Sequence, residues 1–491
     1  MEKFFGSQMV FSSLTFLLFF LPVTLLLVGC SKKVSVQNAL LSFLSLVFYT
    51  WGDFSLSWIL LISVGTNFLL GIKIGEAVDD AARKRRLLTL AVTANLTLLL
   101  FFKYANFGAE NLNYLLSHLH LPVLSFPHIP LPLGISFFTF HCISYLVDIY
   151  RGKTGALKDP VVMFLYIALF PQLVAGPIIR YHEIASQFVS RRVNADCMAQ
   201  GIRRFIYGLS KKVLVANPVG TIADRAFAVP LSQVGADTAW LAAVCYALQI
   251  YFDFSGYSDM AIGLGRMFGF TFPENFNFPY IATSIRDFWR RWHITLSSWF
   301  RDYVYIPLGG NKSGRLVESR NLLTVFFLCG LWHGASWNFV IWGLFHGMFL
   351  SLERTRLGAG LLESAPRPLC WLYSMLVVLV GWVFFRLESL PEALTYVAAM
   401  FALKPPSLAY PASSLVDGYG FFCILTGVFF SMPSSFSTAP VVKLLALTEA
   451  RWLRSLQALR LVRVSLTMIL LLLSTVELTA GASNPFIYFR F

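Results

Sequence analysis

Arg83-Lys84-Arg85-Arg86 runs directly into Leu87-Leu88-Thr89-Leu90-Ala91-Val92-Thr93-Ala94-Asn95-Leu96-Thr97-Leu98-Leu99-Leu100-Phe101-Phe102. A knot of cations ahead of an apolar run reads as a membrane span with its cytoplasmic anchor. About 20 apolar residues cross the hydrocarbon layer, and Lys and Arg gather in the loops that stay inside. Working outward from this stretch, apolar segments recur near 9–30, 36–51, 55–74, 132–149, 161–175, 238–255, 321–333, 336–352, 371–386, 418–433 and 464–480, with a shorter one at 257–270. They predict an all-α polytopic membrane protein of about eleven to thirteen hydrophobic helices. Composition agrees: 13% of the residues are charged and 57% hydrophobic, where soluble domains carry about 25% charged residues.

The formal net charge is +14. Its cations cluster between apolar segments, and no finger, RNP or basic-helix motif holds them, so the expected partner is membrane lipid and not nucleic acid. The clusters also orient the chain. Lys32 and Lys33 follow the first span, Asp53 is the only charge in the next turn, and Arg83 to Arg86 mark the turn after that. The stretch from Asn106 to His120 holds no Lys or Arg, and Arg151 and Lys153 follow the next span. This alternation predicts an outward-facing N-terminus. Arg451, Arg454, Arg460 and Arg463 place the last loop inside and the C-terminus outside as well. Leu27-Val28-Gly29-Cys30 is similar to a lipoprotein cleavage box, but the long apolar stretch with Pro22 before it is read as an uncleaved first helix. The cysteines are scattered without zinc-ligand spacing, which predicts neither a metal site nor a disulfide framework.

Two stretches break the simple pattern. Residues 176–235 mix Arg191, Arg192, Arg203, Arg204, Lys211 and Lys212 with apolar residues. Residues 284–308 interleave aromatic and basic positions at helical spacing, which predicts an amphipathic helix lying in the membrane interface. By itself that helix reads first as a surface anchor.

Phosphate-loop, zinc-helix and serine-hydrolase motifs are absent from the sequence. Attention therefore falls on polar residues at membrane depth, which are costly and face a cavity or a partner. His333 ends an apolar run, is flanked by Gly330 and Gly334, and has Trp332, Trp337 and Asn338 close in sequence to wall a polar pocket; a structural histidine bonded to a neighbouring helix is the alternative. His293 lies in the amphipathic stretch with Arg290 and Ser297 on the expected helical face. His141, Tyr145 and Asp148 recur at i, i+4 and i+7, as either an acid–base relay or an interhelical hydrogen-bond network. Asp253 and Asp259, with Ser255 and Gly256 between them, suggest a bent helix lining a cavity.

Seven stretches in order are similar to the membrane-bound O-acyltransferases, closest to the alginate O-acetylase branch. They are Pro-Leu-Gly-Ile-Ser-Phe-Phe-Thr-Phe-His (132–141), Ser-Tyr-Leu-Val-Asp-Ile-Tyr-Arg-Gly (144–152), Phe-Pro-Gln-Leu-Val-Ala-Gly-Pro-Ile (170–178) and Phe-Asp-Phe-Ser-Gly-Tyr-Ser-Asp-Met-Ala (252–261). Arg-Asp-Phe-Trp-Arg-Arg-Trp-His (286–293), Arg-Asp-Tyr-Val-Tyr-Ile-Pro-Leu-Gly-Gly-Asn (301–311) and Leu-Trp-His-Gly (331–334) complete them, and the ending at 484–491 resembles the same branch.

The resemblance implies a single membrane-embedded domain over 1–491, with N-terminal helices at 9–150, a catalytic core at 151–350 and C-terminal helices at 351–491. It implies a ring of tilted helices around a central funnel, with re-entrant and interfacial helices. It makes His333 the match to the family's catalytic histidine and His293 the match to the polar position upstream. His141, Asp148, Arg290, Asp253, Asp259, Trp332 and Asn338 become expected supporting or substrate-lining residues. The implied activity is transfer of an acetyl group from a cytoplasmic thioester, acetyl-CoA or another acyl carrier, to an exported polysaccharide. No tightly bound cofactor is expected. The implied partners are a periplasmic acetyltransferase or polysaccharide-export proteins, and the implied location is the bacterial inner membrane with both termini periplasmic. Two readings compete. A transporter or flippase would use Asp253, Asp259 and His141 but would show paired halves, and none are visible. A non-catalytic scaffold would not need His333 and His293 together.

Overall fold

The computed structural model describes residues 9–312, 314–402, 409–433, 456–480 and 486. Among these every regular element is helical. The first stretch contains α1 (Leu21–Gly29), α2 (Val34–Gly52), α3 (Ser57–Glu76), α4 (Ala81–His118), α5 (Ile135–Tyr150), α6 (Pro160–Ala168) and α7 (Tyr181–Val189). Next come α8 (Ala195–Ser210), α9 (Asn217–Phe227), α10 (Ala236–Met267), α11 (Ile285–Arg291) and α12 (Ile294–Phe300). The last are α13 (Arg315–His333), α14 (Trp337–Glu353), α15 (Arg356–Ser364), α16 (Arg367–Arg386), α17 (Leu390–Phe401), α18 (Gly418–Phe430) and α19 (Leu456–Thr479). Among the described residues α2, α3, α4, α16 and the Leu461–Thr479 part of α19 are long and apolar enough to cross a membrane, and Phe16–Gly29, α5, α17 and α18 are shorter apolar helices. The all-α membrane architecture is thus present. Arg451 and Arg454, used above for orientation, and the tail 484–491 apart from Phe486 lie outside the described residues.

Several segments differ in extent from their sequence reading. The apolar run at 86–104 is the middle of the 38-residue α4, which continues through Asn106 to His118. A helix of that length spans about 57 Å, well beyond the roughly 30 Å hydrocarbon core, so its polar end continues as helix where a loop was expected. The segments at 238–255 and 257–270 fuse into α10, one continuous helix. The expected bend at Gly256 gives way to a close crossing: a Cβ there would lie 2.7 Å from the Gly208 carbonyl oxygen. The stretch at 161–175 instead splits, because Leu169 leaves the helical region (φ −55°, ψ 114°) ahead of Phe170 and Pro171.

The chain divides into two compact units, residues 1–202 with 261–273, and residues 203–260 with 274–491. In the first, Phe11, Phe16, Phe20, Phe48 and Phe170 pack ring to ring, with Phe11–Phe16 centroids 5.0 Å apart and Phe20–Phe170 at 5.4 Å. Asn67 on α3 and Asn95 on α4 exchange side-chain amide bonds of 2.7 and 3.1 Å. Such reciprocal pairs fasten helices where lipid provides no hydrophobic driving force.

In the second unit, α13 and α14 form a tight hairpin. A Cβ on Gly330 would run into the Phe339 carbonyl, and one on Gly343 into the Phe326 carbonyl. Neither backbone can retreat without unpacking the hairpin. Gly330→Ala is therefore expected to cost about 1–3 kcal/mol, as overpacking does, read as a lowered thermal midpoint of the detergent-purified protein; an unchanged midpoint would mean that the hairpin is not rigid.

Candidate active site

His333 is the last residue of α13, where α13 gives way to Gly334 and the short turn into α14. It is 5% exposed. Its ring is boxed by Trp332 (4.8 Å between centroids), Trp342 (4.9 Å, edge-on) and Phe385 (5.0 Å, edge-on). Phe339 stacks more distantly at 6.5 Å, and a Cβ on Gly334 would overlap that phenyl ring. The turn is held by Ser336, which caps α14 by accepting from the Asn338 amide. The Asn338 side chain donates to the Leu387 carbonyl just beyond α16. Asn338 thus ties α14 to the helix that carries Phe385. Trp337 is 57% exposed and does not wall the site.

His293 is fully buried, and its backbone setting corrects the sequence reading. No single amphipathic helix covers 284–308. The chain forms α11, breaks at Trp292 and His293, resumes as α12, and passes into a π-helical turn at Arg301–Tyr305. His293 takes a left-handed conformation with φ 44°. The Asn275 loop supplies the bonds that continued helix would have made: the Ile294 amide donates to the Asn275 carbonyl at 3.0 Å. The expected shared face of Arg290, His293 and Ser297 therefore does not form; Arg290 is exposed while His293 is buried. The first amides of α11, those of Ile285 and Arg286, donate to the carboxylate of Glu353 at 2.6 and 3.0 Å. Glu353 is a positioning residue that the sequence did not single out.

The bonds of Asn275 fix the state of the His293 ring. Its Oδ1 accepts from the Thr295 amide (3.2 Å) and hydroxyl (2.9 Å), and its Nδ2 donates to Ser258 at 3.1 Å. Because a main-chain N–H points at Oδ1, that atom is the oxygen, and His293 Nδ1, 3.1 Å away, donates to it. A neutral His293 then carries its proton on Nδ1 and presents Nε2 as an acceptor. The ring touches Phe254 edge-on at 4.7 Å and Trp332 at 6.2 Å. Trp332 therefore contacts both His293 and His333, which joins the two principal sequence candidates in one cluster. Phe486 stacks on Tyr257 at 4.7 Å and touches Phe254 at 6.0 Å, so this residue packs against the ring that bounds His293.

Asn275→Ala removes the group that selects the tautomer. It is expected to lower acyl transfer about tenfold, the weight of one good hydrogen bond, with the protein still folded. Acyl transfer measured per folded molecule checks this, and full activity would show that the tautomer is immaterial.

The membrane-depth carboxylates of α10 are engaged by cations. Asp253 pairs with Lys212 at 2.7 Å. Asp259 pairs with Lys211 at 2.6 Å and with Arg204 at 2.6 Å, and Arg204 also grips Glu274. Lys211 and Lys212 open a π-helical turn, Lys211–Ala216. These groups form a neutral ladder of three cations and three carboxylates across the Gly208–Gly256 crossing.

The first unit holds the remaining candidates. His141, Tyr145 and Asp148 all face its interior, yet each bonds elsewhere. His141 Nε2 accepts from the Ile179 amide (3.2 Å), the Tyr145 hydroxyl accepts from the Leu157 amide (3.0 Å), and Asp148 meets His182 Nδ1 at 2.6 Å. A relay through the three is not formed. The half-buried His182 was missed by sequence reading, as was His346 in the second unit. A signal for His346 did exist: Gly343-Leu344-Phe345-His346-Gly347 nearly repeats Gly330-Leu331-Trp332-His333-Gly334.

The sequence profile of the membrane-bound O-acyltransferase family matches residues 42–358, a range that contains both histidines of the cluster. A probable alginate O-acetylase of Azotobacter vinelandii is 46% identical over 397 residues, 80% of this chain and 78% of that protein. One from Pseudomonas putida is 40% identical over 98% of this chain and the whole of its own length. A peptidoglycan O-acetyltransferase of Helicobacter pylori is 34% identical over 98% of both chains.

Proposed function

This chain belongs to the membrane-bound O-acyltransferase family and is an acyltransferase, and from that premise we propose that it moves an acetyl group from a cytoplasmic thioester for the O-acetylation of an exported polysaccharide. The observation that carries the reading is the placement of His333 and His293 against one indole, Trp332, inside a buried aromatic shell. The names of the full-length relatives supply the chemistry of donor group and acceptor class: O-acetylation, of alginate in one case and of peptidoglycan in another.

In the proposed mechanism His333 takes the proton of the acceptor hydroxyl as its oxygen attacks the thioester carbonyl carbon. The tetrahedral intermediate collapses, the C–S bond breaks, and the departing thiolate takes the proton back from His333. The products are an acetyl ester and a free thiol. General-base assistance of this kind contributes about 10²–10⁴-fold. His293, with Nε2 as an acceptor, takes a hydrogen bond from a neighbouring hydroxyl of the acceptor and so orients the attacking one, whose single proton goes to His333. A donor role for His293 toward the acyl carbonyl would require its protonated form. Exclusion of water by the aromatic shell protects the thioester from hydrolysis.

The donor meets the protein from the cytoplasm, where acyl thioesters are made, at the inner membrane with both chain termini on the outer side. A periplasmic acetyltransferase is the proposed receiver that carries the group to the glycan. The test is base-releasable acetyl on envelope polysaccharide in a deletion strain with and without the restored gene. Restoration by the wild-type chain upholds the reading. Unchanged acetyl in the deletion removes it.

A further inference from the structure

The second copy of the Gly-Leu-aromatic-His-Gly motif places His346 on α14, between the two glycines that pack on α13, with its ring toward α11 and α16. His346 is 1% exposed. Its ring meets Trp342 and Trp289 edge-on, each at 5.2 Å between centroids, and Trp289 and Trp342 are 5.7 Å apart. On another side, α16 makes room for it: a Cβ on Gly381 would lie 2.7 Å from His346 Nε2. Trp342 is the shared wall of two sites, since the same indole contacts His333 at 4.9 Å.

Three ring nitrogens in this cluster, His346 Nδ1, Trp289 Nε1 and Trp342 Nε1, have no hydrogen-bond partner among the described residues. All three side chains are more than nine-tenths buried. A buried polar atom without a partner carries the full desolvation penalty of the group, and native proteins tolerate few of them. Leucine or phenylalanine would fill a purely structural core without that penalty. With His346 carrying its proton on Nε2, its Nδ1 and the two indole N–H donors of the same ring cluster suit an oxygen that both accepts and donates. A metal cation would be repelled by the donors, and a carboxylate would leave the imidazole acceptor unmet.

We propose that His346, with the indole N–H groups of Trp289 and Trp342, forms a second polar subsite adjoining His333 that takes one hydroxyl oxygen, from water or from a non-reacting hydroxyl of the acceptor; as a part of the reaction site it rests on the acyltransferase reading above. The subsite lies behind Trp342 and holds the oxygen that sets this indole against the His333 ring.

The test uses the full-length chain in the deletion strain, with His346→Leu and His346→Asn compared at equal amounts of folded protein. Asparagine keeps a polar atom near the place of Nδ1, whereas leucine keeps bulk alone. His346→Leu is expected to lose at least tenfold of the base-releasable acetyl per folded molecule and His346→Asn to recover a large part. Thermal midpoints of the purified variants separate the sources. A resident water makes the leucine variant melt below the asparagine variant; an acceptor hydroxyl, present only in turnover, leaves the leucine variant as stable or more stable while transfer falls. Leucine and asparagine variants that match in both acetyl and midpoint overturn the subsite, because bulk is then all that matters. A wild-type chain that restores no acetyl would instead sink the polysaccharide reading and with it the acceptor-hydroxyl form of the subsite, while the two midpoints would still decide the resident-water form.

Discussion

Replacing His333 by alanine is expected to lower acetyl transfer by about 10²–10⁴-fold, the range that a positioned general base supplies, with the protein still folded. The ring does make packing contacts, with Trp332, Trp342 and Phe385 at centroid distances of 4.8–5.0 Å. Each such aromatic contact is worth about 0.5–1.5 kcal/mol, so the alanine variant should also melt at a lower temperature. His333→Gln separates the two effects, since it keeps much of the bulk and a polar end but cannot act as a base near neutral pH. Acetyl per folded molecule is expected to be near background in both variants, while the midpoint falls mainly in the alanine one. If acetyl loss merely followed the amount of folded protein, His333 would be a packing residue and the proposed mechanism would fail.

The second large effect is on stability. Asp253→Asn should destabilise the protein by about 3–5 kcal/mol, the cost of removing one partner from a buried ion pair. Lys212 and Asp253 expose only 6% and 2% of their side chains and lie 2.7 Å apart, so the lysine charge would lose its neutralising partner in a setting with little water. Replacing both, as Asp253→Leu with Lys212→Met, removes the two desolvation costs together and should recover much of the loss. Thermal midpoints and membrane yield of the single and double variants check this. A single variant as stable as wild type would mean that the pair is not a structural clasp, and an ion-pathway role for Asp253 would regain support.

The ladder around α10 shows what sequence reading could not supply. Carboxylates at membrane depth are conspicuous in a sequence and invite a cavity or a transport path. Their cations sit roughly 40–55 positions earlier, in the mixed stretch at 203–212, and nothing local in the sequence couples the two. The same applies to His141 and Asp148. Helical spacing correctly put them on one face of α5, yet their hydrogen bonds go to Ile179 and His182, partners fixed by how the chain returns.

The environment of His293 was the least legible feature. The pattern of apolar and basic residues over 284–308 is compatible with one amphipathic helix, and a helix would have left His293 at the interface beside Arg290. The break at Trp292 arises because the Asn275 loop competes for the backbone amides of Ile294 and Thr295. That competition buries the imidazole and dictates its tautomer. His346 escaped notice for another reason: its motif was readable, but its meaning depends on Trp342 lying between it and His333.

The sequence by itself determined that this chain is an all-α membrane protein, which segments are apolar, and which histidine is the leading candidate. Apolar run length, cation placement and the motifs in order are properties of the chain that no partner segment has to supply. The tertiary structure alone decided which polar groups meet: the union of His333 and His293 on Trp332, the proton position on His293, the pairing of Asp253 and Asp259, and the aromatic enclosure of His346. Those outcomes depend on contacts between residues far apart in sequence. A buried polar group takes whichever partner the packed helices bring within about 3 Å.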